Sequence, residues 1–219
     1  MLRSLEGTAI LLVLLLFVQS PPMQAGVTNP HLSVLGQMRT FLTDAADDAN
    51  RNRAQFSFDE SEIVADAYLN PYARGTFVFS ISEEEGAVVE EGYLEILRGL
   101  PKGWAFKAGK YRVGFGRLNA VHPHAYPFID RFRVLASYLP GDESFDEMGG
   151  QLSYRLPLPG DVSSTLSADI LRGNTFHPDD SELSRPAFVG RWANFFALND
   201  QTSLDVGIST AYGTNNAVL

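Results

Sequence analysis

Residues 60–82 read ESEIVADAYLNPYARGTFVFSIS and alternate twice around a turn. Along the first half, Ile63, Ala65, Ala67 and Leu69 fall on one side of an extended chain, and Glu60, Glu62, Asp66 and Tyr68 on the other. Asn70-Pro71 interrupts the pattern with turn chemistry. In the second half, Phe77, Phe79 and Ile81 oppose Arg74, Thr76, Ser80 and Ser82. A period of two with one greasy side and one polar side predicts an antiparallel hairpin. A half-buried strand of a soluble sandwich alternates in the same way, so the choice falls to the rest of the chain.

The same alternation recurs over 88–97, 151–156, 162–170, 187–197 and 203–212, more weakly over 31–42 and with mixed parity over 104–113, and no long stretch carries a helical period. About ten strands of roughly ten residues are expected, the length a tilted strand needs to cross a bilayer. The side opposite the apolar one keeps Glu91, Glu95, Gln151, Arg155, Asp169 and Arg191. A dry core excludes such charges and a wet interior accepts them. Short connections at 70–71, 98–103, 156–161 and 198–201 alternate with longer charged ones at 83–86, 141–147 and 174–186. That order matches a barrel with one rim of tight turns and one of loops. Trp104, Tyr154, Trp192, Phe196 and Tyr212 are expected near strand ends, where aromatic girdles form. The predicted fold class is therefore all-β, an antiparallel transmembrane β-barrel.

Composition agrees without deciding. The chain of 219 residues has a net charge of -9, no cysteine and 19 glycines. Zero cysteine removes disulfide frameworks, thiolate metal sites and cysteine nucleophiles together. An acidic balance argues against nucleic acid as a partner, because phosphate binding needs a dominant basic face. Arg3 followed by the apolar run 9–18 (AILLVLLLFV) predicts a secretory signal over residues 1–25, cleaved after Ala25 or after Ser20. Export together with zero cysteine suits a bacterial envelope protein, and with the barrel over 26–219 the expected place is the bacterial outer membrane, in contact with its lipid. The tail at 216–219, NAVL, lacks the aromatic tip of a closing strand, and the expectation is an incomplete part of a larger barrel, truncated at its C-terminus.

One stretch is basic. Between residues 107 and 133 stand Lys107, Lys110, Arg112, Arg117, Arg131 and Arg133 against the single acid Asp130. Such a cluster marks where something negative is met, or where opposite charges face each other across a gap. With Glu91 and Glu95 on the preceding strand, these residues are expected to line the narrow part of a pore. Lys107 has the opposite parity to Lys110 and Arg112. The expectation is that Lys110 and Arg112 face inward and Tyr111 and Val113 outward, with Gly109 marking a bulge or Lys107 snorkelling to the rim. Mutual neutralisation as salt bridges within the lumen is the plainer reading of these charges. His122 and His124, with Asp130, form a candidate set for zinc or another divalent ion, imidazole and carboxylate being suitable ligands. Loop histidines hydrogen-bonded to the barrel wall are the alternative. No Gly-x-Ser-x-Gly elbow, metalloprotease helix or phosphate loop is present, so no enzyme is expected.

Three runs carry a resemblance: NPYARGTFVFSIS (70–82), VVEEGYLEI (88–96) and AGKYRVGFGRLNAVHPHAYPFIDR (108–131). Together they resemble a bacterial outer-membrane family related to phosphate-selective porins, commonly labelled zinc-regulated TonB-dependent outer membrane receptors. The resemblance covers residues 29–172. It implies a large antiparallel barrel, of roughly 16 or more strands in full-length relatives, that takes up small solutes or ions. A homotrimer is one assembly open to such a barrel. A second expectation is a surface binding or receptor protein whose barrel is an anchor and whose loops at 43–55 and 174–186 meet the partner.

Overall fold

The computed structural model describes residues 30–83, 86–126, 128, 132–133, 135, 139, 144–173 and 185–213. The expected signal at 1–25, Asp130, Arg131, the loop centre at 174–184 and the tail at 214–219 lie outside the described residues. Among the described residues there are nine strands: β1 (His31–Phe41), β2 (Gln55–Asn70), β3 (Ala73–Ser82), β4 (Gly86–Ile96), β5 (Trp104–Arg112), β6 (Asp146–Leu156), β7 (Val162–Leu171), β8 (Ala187–Asn199) and β9 (Thr202–Tyr212). They form one antiparallel sheet in sequence order, each strand hydrogen-bonded to the next. Among the described residues β1 and β9 are the two edges, so the sheet is open. Period two in the sequence thus becomes, among the described residues, strand throughout the sheet, with a 3-10 turn at Pro123–Ala125 between β5 and β6.

The connections sort into two rims. One rim carries 71–72, 97–103, 157–161 and 200–201; the other carries 42–54, 83–85, 113–145 and 172–186. The connection at 83–85 is shorter than expected, because β3 and β4 pair to their ends, at Ser82 and Gly86. At the first rim, Asn70 Oδ1 accepts from the backbone N–H of Tyr72 and Ala73, at 2.8 and 2.9 Å, which folds the β2–β3 turn. Trp104 and Tyr154, paired across β5 and β6 and tilted together at 4.9 Å, belong to that rim. Trp192 lies instead in the middle of β8 opposite Leu166 and Ile208, where its Nε1–H donates to Ser164 Oγ at 2.8 Å. Its indole nitrogen is satisfied by a neighbouring strand and has no need of a rim.

The sheet is amphipathic in an inverted sense. On β7, Ile170 is 61 % exposed and its neighbour Asp169 2 %. On β3, Phe77 is 45 % exposed while Ser80 is buried; on β2, Ile63 is open while Glu60 and Glu62 are covered. Cover comes from residues 113–126 of the β5–β6 connection, which lie over the polar face. There Tyr111, Val113, Phe145, Leu171, Ala187 and Val189 form a dry cluster. A side chain of the size of Leu or Val contributes about 1.5–3 kcal/mol when buried in such a cluster. This part of the polar face is therefore dry, where a uniformly wet interior was expected.

Candidate functional site: an acidic and histidine-bearing cluster under the 113–145 connection

Three features bring the site together. First, the β3–β4 register shifts between Val78 and Phe79, pairing Val78 with Glu91 and Phe79 with Val89. The extra residue is Glu90, and a bulge of this kind lets two consecutive side chains share one face. Glu90 and Glu91 both reach Arg112, the former at 2.6 Å from Nη2 and the latter at 3.9 Å from Nε. Second, on the adjoining strands β2 supplies Glu60 and Glu62. Third, Asn119 clamps the connection to the sheet. Its Nδ2 donates to the carbonyls of Val113 and Phe145, at 2.7 and 2.8 Å, and its Oδ1 accepts from Phe145 N–H at 2.8 Å.

The clamp delivers the chain that follows it to the carboxylates. His122 Nε2 lies 3.0 Å from Glu91 Oε1 and Nδ1 lies 3.1 Å from Glu62 Oε2. His124 Nδ1 stands 3.6 Å from Glu62 Oε2 and 3.8 Å from Glu60 Oε1. Both histidine side chains are 20 % exposed. Burial opposes the charged His122 ring, but the hydrogen bond to Glu91 and the charges of Glu62 and Glu91 outweigh burial and Arg112, and hold its pKa above the ordinary imidazole range. Four carboxylates therefore meet one arginine and two imidazoles. The electrostatics favour a cation.

On the other side of the clamp the connection meets β9. Gly116 N–H donates to Ser209 Oγ at 3.0 Å, and Arg117 Nη1 approaches Asp205 Oδ2 at 3.8 Å. Between them lies a cavity of about 380 Å³ lined by Gly116, Arg117, Thr165, Arg191, Asp205 and Ser209, among others. Residues 116–124 of this connection thus touch β2, β4 and β9.

The remaining expected residues fall as follows. Tyr111 and Val113 point into the dry cluster at 0 % exposure, which corrects the outward placement. Tyr111 Oη–H donates to Asp169 Oδ1 at 2.9 Å, and Lys107 Nζ sits over the Tyr93 and Tyr111 rings at 4.4 and 5.3 Å. Lys107 therefore shares the polar face with Tyr111. Neither a register shift nor snorkelling at Gly109 is needed, since β5 pairs without interruption on both sides. Lys110 falls by alternation with Phe106 and Ala108, and its ammonium reaches Asp146 at 3.0 Å and the Val89 carbonyl at 2.9 Å. Arg112, the last residue of β5, is buried among the glutamates. Glu95 pairs with Lys107 at 3.8 Å, Arg117 is open to solvent and Arg133 is exposed. Of the candidate metal set the structure joins His122 and His124, and Glu62 takes the third place. Sequence spacing gave no sign of Glu62, whose arrival depends on a fold-back across two strands.

No known family pattern matches the chain, and no solved structure matches it. An uncharacterised protein of Aquifex aeolicus (strain VF5) is 37 % identical over 172 residues, an overlap that covers 72 % of this chain and 35 % of that relative. The chain thus spans about a third of the length of the curated relative it matches.

Proposed function

We propose that the sheet is part of the wall of an outer-membrane β-barrel and that the connection 113–145 narrows its passage, making the protein a porin-like channel for small solutes or ions. The observation that carries this reading is the inverted amphipathicity. Ile63, Phe77, Leu166 and Ile170 face outward while Glu60, Glu62, Glu91 and Asp169 are covered. In water that arrangement exposes the side with most to lose, and against lipid it is the stable one. The sorting of tight turns and longer connections onto opposite rims supports the same reading. Among the described residues the edges β1 and β9 leave backbone groups unpaired, which hydrocarbon does not tolerate. In the assembled barrel they pair with further strands. The fold-back of 113–145 onto the polar face favours a channel over an anchor with outward-reaching binding loops, and the resemblance to porin-related proteins points the same way.

Two measurements test this. The full chain, folded into detergent and added to planar bilayers with its assembly partners in native outer-membrane extracts, is expected to give stepwise conductance. Replacing Arg117, which faces the cavity, by glutamate is expected to move the reversal potential in a salt gradient toward cation preference. A chain without residues 1–25 that dissolves as a compact monomer in detergent-free buffer removes the membrane reading altogether.

An outer-face charge gives an independent check. Leu166→Lys, at the middle of β7 on its outward face, is expected to destabilise the lipid-inserted sheet by about 2–4 kcal/mol, the cost of a lysine near the bilayer midplane. Ser167→Lys, on the opposite face of the same strand, should cost less in lipid. Denaturant titrations in lipid vesicles read the difference, and equal losses at the two positions would contradict the assignment of faces.

A further inference from the structure

We propose that Glu62, His122 and His124 form a binding site for a divalent transition-metal ion of the zinc class, set between the 113–145 connection and β2. The proposal rests on three buried atoms that face one another without hydrogen-bond partners: Glu62 Oε2, His122 Nδ1 and His124 Nδ1. Glu62 is 4 % exposed, so its carboxylate is largely out of reach of bulk solvent. Buried polar atoms left in this state are costly, and three of them aimed at one point ask for a common partner.

The tautomer of His122 strengthens the case. Its Nε2 lies 3.0 Å from Glu91 Oε1, and a carboxylate there holds the proton on Nε2 and leaves the Nδ1 lone pair for a ligand. That lone pair meets the Glu62 carboxylate at 3.1 Å, a contact between two acceptors unless a positive charge lies between them. A second proton on the ring is one source of that charge, and a metal ion is the other. His124 separates the two. Its Nδ1 stands 3.6 Å from Glu62 Oε2 and 3.8 Å from Glu60 Oε1, too far for hydrogen bonds. Donor atoms around a tetrahedral ion with bonds near 2.0–2.1 Å lie roughly 3.3 Å apart, and all three donors here lie within 4.8 Å of one another. Two imidazole nitrogens with one carboxylate suit zinc, cobalt or nickel, whereas calcium and magnesium take oxygen ligands. The site stands on these residues alone and does not depend on whether the barrel conducts.

The test uses the untagged full chain folded in detergent and titrated with Zn2+, with Co2+ as a spectroscopic stand-in. One equivalent is expected to bind, with intense visible bands for Co2+. Glu62→Gln and His122→Ala are expected to weaken binding by about 100-fold or more, and Glu91→Gln, which only orients His122, by about tenfold. His31→Ala, on the exposed edge strand, should leave the affinity unchanged. X-ray absorption on the zinc-loaded wild-type protein, which needs no variant to fold, should show two imidazoles in the first shell. The proposal is overturned by folded protein that binds neither ion, by fewer than two imidazoles at the zinc, by affinity unchanged in the His122→Ala, His124→Ala pair, or by Ca2+ competing on equal terms.

Discussion

Replacing Gly109 by alanine is expected to abolish the folded sheet. The position has a φ of +134°, which L-residues rarely adopt, and a β-carbon there would lie 2.2 Å from the Gly92 carbonyl oxygen and 2.6 Å from Tyr93 Cα. Both obstacles are backbone atoms of the paired strand β4, so no side-chain rotation relieves them. Separating the strands would break the β4–β5 ladder beside the Tyr93 ring, which packs edge-on against Tyr111 at 6.3 Å. A cost of about 4 kcal/mol or more follows from such a clash with fixed backbone. Gly36→Ala is the matched control, because nothing lies within 4 Å of its β-carbon and its φ is ordinary. Loss of the compact, heat-modifiable gel band and of the β signature in circular dichroism should occur for the first variant and not the second. A Gly109→Ala protein that folds within about 1 kcal/mol of the wild type would show that β5 adopts another backbone path.

Asn119→Ala is expected to release the 113–145 connection from the polar face. Three hydrogen bonds, all buried, converge on this one side chain. Truncation removes both donors and the acceptor of the Phe145 N–H, at a cost of about 2–4 kcal/mol. Asn119→Asp keeps the acceptor and loses the two donors, so an intermediate effect is expected. Limited proteolysis should cut within 113–145 faster in the alanine variant, and under the proposed channel function conductance should rise. The metal affinity should fall as well, although Asn119 touches no ligand, because His122 is placed by the segment that Asn119 fastens. Unchanged proteolysis with unchanged affinity would mean that the dry cluster at Val113, Phe145 and Leu139 holds the connection alone.

The strands were legible because their chemistry is local. Ile63 with Ala65, Phe77 with Ile81, and Leu166 with Ile170 each announce a face within a few residues, and β1–β9 occupy the stretches where that pattern runs. What period two cannot supply is which side a short, mixed strand turns inward. On β5 the charges of Lys110 and Arg112 argued for inward placement; Arg112, at the strand's end, does reach the covered glutamates, but Phe106, facing Leu152 on the apolar side, sets the parity of the strand's middle and carries Lys107 and Tyr111, not Lys110, inward. Lys110 tolerates its position because Asp146 and the Val89 carbonyl meet its ammonium. The candidate site was legible in part for a related reason. His122 and His124 announce themselves by type and spacing. Glu62 does not, since β2 and the His-bearing turn meet only once the connection has folded back over β3 and β4. The Glu90 bulge was equally hidden, because a register shift depends on both partners of a ladder.

The nearest-neighbour order of the sheet has a consequence for how the molecule comes together. Along most of its length each new strand needs only the one before it, and tight turns such as 71–72 and 200–201 make those meetings fast. The junction of β5 with β6 is different, since 113–145 must be looped out before Arg112 can find Asp146. Loop closure grows only slowly with length, by about 0.6 kcal/mol per doubling, so the delay is kinetic more than thermodynamic. The order of the sheet predicts that the two hairpin arrays β1–β5 and β6–β9 form first and join last at that seam, where Asn119 bridges the two ends of the connection.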